Sequence, residues 1–158
     1  MNRGIVTLRS MPIADVMSTR VVSVGPDETV QLAIARMLEE GIGSVAVCEE
    51  DRLVGIFTER DVLRLAGEGS QFAGLKVRDV MSRDLVTVAP DVGVLDAARL
   101  MGEKKIRHLP VLEGENLLGV VGIRELMRSL VERLWRDHDP DVRETARELL
   151  ARERAKAQ

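Results

Sequence analysis

A threonine and an aspartate stand three residues apart, Thr58 and Asp61, where the apolar run Gly55-Ile56-Phe57 gives way to the charged Glu59-Arg60. A strand running into a helix at that point puts Thr58 near the helix N-terminus. Backbone N–H groups without intrahelical partners and the positive end of the helix dipole are available there for an anion. Asp61 then lies one turn on and faces the same side. Two chemistries fit the pair. The carboxylate can accept hydrogen bonds from two adjacent ligand hydroxyls, each charged bond contributing about 1.5–3 kcal/mol. Alternatively, Thr58 caps the helix and Asp61 complements its dipole, with no ligand involved.

The other chemically able residues are few. Arg107 and His108 adjoin a second apolar run, and Arg60 is a further basic candidate on the helix that begins beside Thr58. A lone histidine beside a strand is more often a satisfied polar residue than a ligand or base, and no serine or cysteine nucleophile with a supporting acid recurs near His108. His138, in a charged stretch, is expected in solvent. Met17, Met37, Met81 and Met101 recur in pairs, which reads as core and pocket packing rather than metal binding. No Walker-type glycine loop, HExxH or nucleophile motif occurs, so an enzyme is not expected.

Composition narrows the classes further. The chain has 158 residues, 45% hydrophobic and 31% charged, the profile of a soluble globular protein. No apolar run approaches the roughly 18 residues of a membrane span. The N-terminus lacks the apolar region of a signal peptide, and one cysteine, Cys48, forbids an internal disulfide or a cysteine-rich zinc site. A cytoplasmic address follows, with Cys48 as a small core hydrophobe. A net charge of −3, only 2% aromatic residues and no tyrosine argue against nucleic acid as a partner.

An internal repeat must position these residues. Asp15-Val16-Met17-Ser18 recurs as Asp79-Val80-Met81-Ser82, an offset of 64, and 19 of the 51 pairs from 15/79 to 65/129 are identical. Each copy reads as β-α-β-β-α. A short strand (Val21 to Val24; Leu85 to Val88) precedes Pro26-Asp27 or Pro90-Asp91, a helix-start signal. Val30, Ala33, Ile34, Met37 and Leu38 then mark one face of a helix that Gly41 ends. Strands from Ser44 to Cys48 and Leu53 to Phe57 flank an acidic turn, and a helix runs from Glu59 to about Ala66. About 55–60 residues bury only a marginal core, so two copies are expected to pack sheet to sheet about a pseudo-twofold axis.

The fold class is therefore α+β. The expected organisation is an N-terminal segment (1–10), repeat one (11–66), a linker (67–74) anchored by Phe72, repeat two (75–131) and a helical tail (132–158). Within the tail, Asp139-Pro140-Asp141 is a helix start, with Val142, Ala146, Leu149 and Leu150 on one side. That edge and Trp135 read as a solvated helix face or as a partner contact.

With two such copies, the chain resembles a tandem pair of CBS domains, named for cystathionine β-synthase. The resemblance covers residues 11–131. It is carried by Asp15-Val16-Met17-Ser18, Pro26-Asp27-Glu28-Thr29, Gly55-Ile56-Phe57-Thr58-Glu59-Arg60-Asp61 and Ile106-Arg107-His108-Leu109-Pro110-Val111. It implies a regulatory module that binds an adenosine-containing ligand in clefts between the repeats and forms disc-like homodimers. The ligand would be AMP, ADP, ATP, NAD or S-adenosylmethionine, with no cofactor required. One cleft would use Ile56, Thr58 and Asp61, with Asp61 on the ribose and Met81, Val86 and Ile106 around the adenine. Arg107 and His108 would stand at its edge for phosphate, or would serve the opposite cleft of Met17, Val22, Ile42 and Val120. In that second cleft Gly122 and Glu125 replace the Thr58–Asp61 pair, so its ribose position is expected to be weakened or empty.

Two functions compete. A sensing module would signal through an effector protein or a change of oligomer. A structural dimerisation adaptor whose clefts have lost their ligands would ignore nucleotides, and the departures in repeat two support it.

Overall fold

The computed structural model describes residues 11–137, and His138, Pro140 and the tail positions Val142 to Leu150 lie outside them. Among the described residues are five strands and four helices, a mixed α+β architecture.

Helix α1 spans Val30–Glu40. Thr29 caps it, its hydroxyl accepting from Leu32 N–H at 3.2 Å. Gly41 ends it in the left-handed region (φ +64°), a conformation that suits a residue without Cβ. Val30, Ala33 and Met37 are buried, whereas Leu38, expected on the same face, is 79% exposed. The strands β2 (Ser44–Glu49) and β3 (Arg52–Thr58) form an antiparallel hairpin in which Val45 faces Phe57. Helix α2, Glu59–Gly67, begins directly at the end of β3.

The second half repeats this order. Helix α3 spans Val94–Lys104 and buries Val94, Ala97 and Met101, the counterparts of the buried positions of α1. Strands β4 (His108–Glu113) and β5 (Asn116–Gly122) follow. Helix α4, Ile123–Asp137, carries the chain past residue 131 into the stretch read as tail.

The leading strands are shorter than expected. Only Ser23–Val24 forms a strand (β1), parallel to β2, although Val22 C=O still accepts from Ala46 N–H at 3.0 Å. Of Leu85 to Val88, only Val88 is bridged and the remainder forms no strand. The cause lies in the partner strand. Pro110 occupies the position of Ala46 and has no N–H to donate. A proline is tolerated there because β4 ends the strand order β1-β2-β3-β5-β4.

Residues gather into two compact units, and neither is a sequence repeat. One holds Ser18–Thr87 with Pro110–Val120; the other holds, among the described residues, 11–17, Val88–Leu109 and 121–137. In the first, Val77 N–H donates to Glu28 C=O (3.0 Å), Arg78 N–H to Pro26 C=O (2.9 Å) and Val30 N–H to Leu75 C=O (2.8 Å). In the second, Ile13 N–H donates to Val92 C=O (2.8 Å), Ala14 N–H to Pro90 C=O (2.9 Å) and Val94 N–H to Met11 C=O (2.9 Å). These are the same bonds at the repeat offset. The segment leading into each repeat thus closes the N-terminus of the other repeat's first helix. This use also corrects the expected helix start. Pro26-Asp27 and Pro90-Asp91 lie in turns ahead of the helices, and the carbonyls of Pro26 and Pro90 receive the incoming segments.

Each incoming segment makes a 3₁₀ turn, Ile13–Asp15 or Val77–Asp79, whose first side chain is fully buried. Lys76 and Arg78 fasten the second of these further, Lys76 Nζ donating to Asp27 C=O at 2.7 Å and Arg78 pairing with the Asp27 carboxylate. Phe72 packs against the core of Val24, Val30, Phe57 and Val77, anchoring the segment between the repeats.

Ile13 lies ahead of the DVMS motif yet has no exposed surface. Ile13→Ala should therefore lower unfolding free energy by about 2–5 kcal/mol, the range for a buried aliphatic truncation, as read by denaturant melts. A loss below about 0.5 kcal/mol, ordinary for a surface substitution, would show that the exchanged segment carries no core.

Candidate functional site

Thr58 is the last residue of β3 and caps α2. Its N–H and its hydroxyl both donate to Asp61 Oδ2, each at 2.9 Å. The capping role read from the sequence is therefore present, and it fixes the carboxylate at the strand end. The other oxygen, Oδ1, has the Arg64 guanidinium at 3.8 Å, and the Asp61 side chain retains 15% of its surface. Thr58 pairs with Ser44 across the hairpin, and Glu59 N–H donates to Gly43 C=O at 3.0 Å, so two strand ends and a helix start meet at this carboxylate.

Ile56 is locked by a reciprocal pair of backbone bonds with Ser82, 3.0 Å in each direction. Val120 makes the equivalent pair with Ser18, at 3.0 and 3.1 Å. The serine ending each DVMS motif therefore holds the β-strand of the other repeat, a role its local sequence does not signal. Beside Ile56, Gly55 is buried under Met81. A methyl group at Gly55 would overlap Met81 Sδ, lie 2.9 Å from Met81 Cγ and 3.2 Å from Ser82 C=O. Met81 belongs to the buried core cluster, with Val22 and Ile42 packed against it.

The structure distributes the expected site residues as follows. Ile56, Thr58, Asp61, Met81 and Val86 belong to one unit, along with Val22, Ile42 and Val120. Met17, Ile106, Arg107, His108 and Glu125 belong to the other. Val86, Ile106 and His108 are half-buried and Arg107 is exposed.

In repeat two, Arg107 C=O accepts from Ile123 N–H at 2.8 Å, which ties the start of β4 to the start of α4. A methyl group at Gly122 would overlap Glu125 Oε2 and lie 3.4 Å from both Glu125 Cδ and His108 Cδ2. The glycine thus leaves room for the longer acid. The sequence held a signal of this, since Thr→Gly and Asp→Glu occur together at matched positions. Among the described residues, no group of three or more His, Cys, Asp and Glu side chains could hold a metal ion. No described helix is long and apolar enough to cross a membrane.

Comparison with known proteins agrees with this architecture. The CBS domain profile matches residues 13–68 and 77–132. The CBS domain-containing protein YhcV of Bacillus subtilis is 36% identical over 115 residues, covering 72% of this chain and 81% of that one. The chain spans 63% and 66% of the length of two further curated relatives. A putative signal-transduction protein with CBS domains from Burkholderia ambifaria superposes with a TM-score of 0.74 at 29% identity, covering 77% of this chain and 95% of that one. The CBS domain pair of protein MJ0100, solved with 5-methylthioadenosine and S-adenosylmethionine, superposes with a TM-score of 0.72 at 19% identity, covering 78% and 98%.

Two outcomes follow from this packing. Gly55→Ala forces Met81 and the Ser82 backbone apart, and it should destabilise the fold by about 1–3 kcal/mol in a chemical melt. An unchanged melt would mean that Met81 does not sit on Gly55. Cys48 is half-buried on β2, and burial, aided by the Asp51 charge, pushes its thiol pKa up. Because the thiolate is the nucleophile, iodoacetamide should label native Cys48 with a pH midpoint above the ordinary thiol range, and unfolding in urea should return it to that range. Equal midpoints in both states would contradict the burial.

Proposed function

The chain belongs to the CBS domain family, and on that footing we propose that it is a non-catalytic sensing module for an adenosine-containing ligand. The observation that carries this reading is the Asp61 carboxylate, held at the end of β3 through one oxygen by Thr58. The other oxygen has the Arg64 guanidinium at 3.8 Å, and the side chain keeps 15% of its surface. A carboxylate positioned in advance loses little freedom on receiving the two hydroxyls of a ribose, and that preorganisation favours binding. Ile56 and Val86, half-buried in the same unit, supply apolar surface for a purine. The binding of 5-methylthioadenosine and S-adenosylmethionine by the MJ0100 pair supports the ligand class. The module acts as a cytoplasmic homodimer, needs no cofactor, and signals through an effector protein or a change of oligomer. A ligand that binds one arrangement only stabilises it by about 2.7 kcal/mol at a hundredfold excess over Kd.

A second reading draws on the same residues. Asp61 already has a full structural task as a cap, which suits an adaptor that has kept the fold and lost the ligand.

Calorimetry and thermal shift with AMP, ADP, ATP, NAD and S-adenosylmethionine separate the two. Binding of at least one is expected, and Asp61→Ala should weaken it about tenfold or more through loss of charged hydrogen bonds. The variant also loses its cap, at a cost of about 0.5–2 kcal/mol, so binding is measured well below its melting transition. No heat and no shift with all five would leave the adaptor reading standing.

A further inference from the structure

We infer that residues 11–17 are an exchange arm, which leaves the N-terminus of α3 as a unit and closes the α3 of a second copy of this chain. The two incoming segments are not held alike. The one around Val77–Asp79 lies within the unit of Ser18–Thr87 and Pro110–Val120, and the chain on both sides of it belongs to that unit. Lys76 and Arg78 also fasten it to Asp27 through their side chains. At the repeat offset stand Pro12 and Ala14, which carry no polar side-chain group to fasten anything. Residues 11–17 pack in one unit, whereas Ser18, the next residue, belongs to the other and is bonded there to Val120. Among the described residues, the single connection from Met17 to Ser18 joins the arm to the remainder of the chain.

The seat of the arm is made entirely by α3 and the turn before it. The Val92 and Pro90 carbonyls accept from Ile13 and Ala14 at 2.8 and 2.9 Å, and Val94 N–H donates to Met11 C=O at 2.9 Å. The Ile13 side chain is enclosed completely and Met11 almost so. None of these contacts depends on which molecule supplies the arm. A second copy satisfies them equally, and exchange of an identical element is a low-cost route to a dimer. Opening the seat exposes two apolar side chains and frees three backbone bonds, so it is an infrequent local event, less costly than global unfolding. The ion-paired segment is the fixed closure of the fold, and the apolar one is the movable closure.

Pro12 and Gly93 face each other in an antiparallel bridge flanked by the Ile13–Val92 and Val94–Met11 bonds. A non-hydrogen-bonded pair of this kind sets its Cα atoms about 4.5 Å apart, within reach of a disulfide. Thr29 and Lys76 form the counterpart bridge at α1. In a Cys48→Ala background, one chain carrying both Pro12→Cys and Gly93→Cys should oxidise to an internal disulfide. Its failure to do so would overturn the inference, because the arm would not occupy this seat. Full-length Pro12→Cys and Gly93→Cys chains, incubated together at high concentration and then oxidised, should give a disulfide-linked heterodimer by mass spectrometry. A mixture of Thr29→Cys and Lys76→Cys chains, in which Arg78 still holds Asp27, should give at least about tenfold less, since that segment opens far less readily. Equal yields from the two mixtures would signal random collision or wholesale unfolding and would overturn the inference. So would heterodimers no more abundant than the homodimers of Pro12→Cys. The ligand readings above stand under either result, since neither draws on the arm.

Discussion

The fold depends on how the first N–H groups of α1 and α3 are satisfied. A helix leaves those donors without internal partners. Val30 N–H finds its acceptor on Leu75 and Val94 N–H on Met11, each supplied by the segment that leads into the other repeat. The buried side chains of Ile13 and Val77 arrive with those carbonyls. A polar requirement and an apolar one are met by the same few residues. The serines that follow, Ser18 and Ser82, then pair with Val120 and Ile56 and so fix the strands that end at Gly122 and Thr58. The carboxylates of Asp61 and Glu125 stand one turn beyond those strand ends, positioned by the same exchange.

Much of this was legible from the repeat offset. Val30, Ala33 and Met37 and their counterparts Val94, Ala97 and Met101 are buried alike, and Gly41 ends its helix in the conformation its residue type suggests. The exchange itself was not legible. A duplicated sequence carries the same motif twice and does not say which copy a segment pairs with. Pro26-Asp27 has the composition of a helix start, because proline and aspartate favour that position. Its carbonyls face the incoming segment, and the helix begins at Val30 under a Thr29 cap instead. Leu85 to Val88 has the composition of a strand, but a strand needs donors opposite, and Pro110 removes one.

The candidate site shows the same division. Spacing alone set Thr58 and Asp61 on one side of a helix start, and the two open readings, cap and ligand grip, both remain chemically compatible with the observed bonds. Side-chain exchange between neighbours was harder to see. Gly122 read by itself is a lost hydroxyl, whereas beside Glu125 it is a space. Met81 reads as core and pocket packing, and its close seat on Gly55 shows only in the packed structure.

The interleaving of leaders and helices also bears on how the chain acquires its structure. Ile13 waits for Val92, and α1 waits for Leu75, so neither half can be completed while the other is still being synthesised. Contacts so distant along the chain slow folding and make it concerted. A nascent chain that emerged only as far as Phe72 would hold a first helix without its roof, a target for quality-control proteases until the remainder arrives.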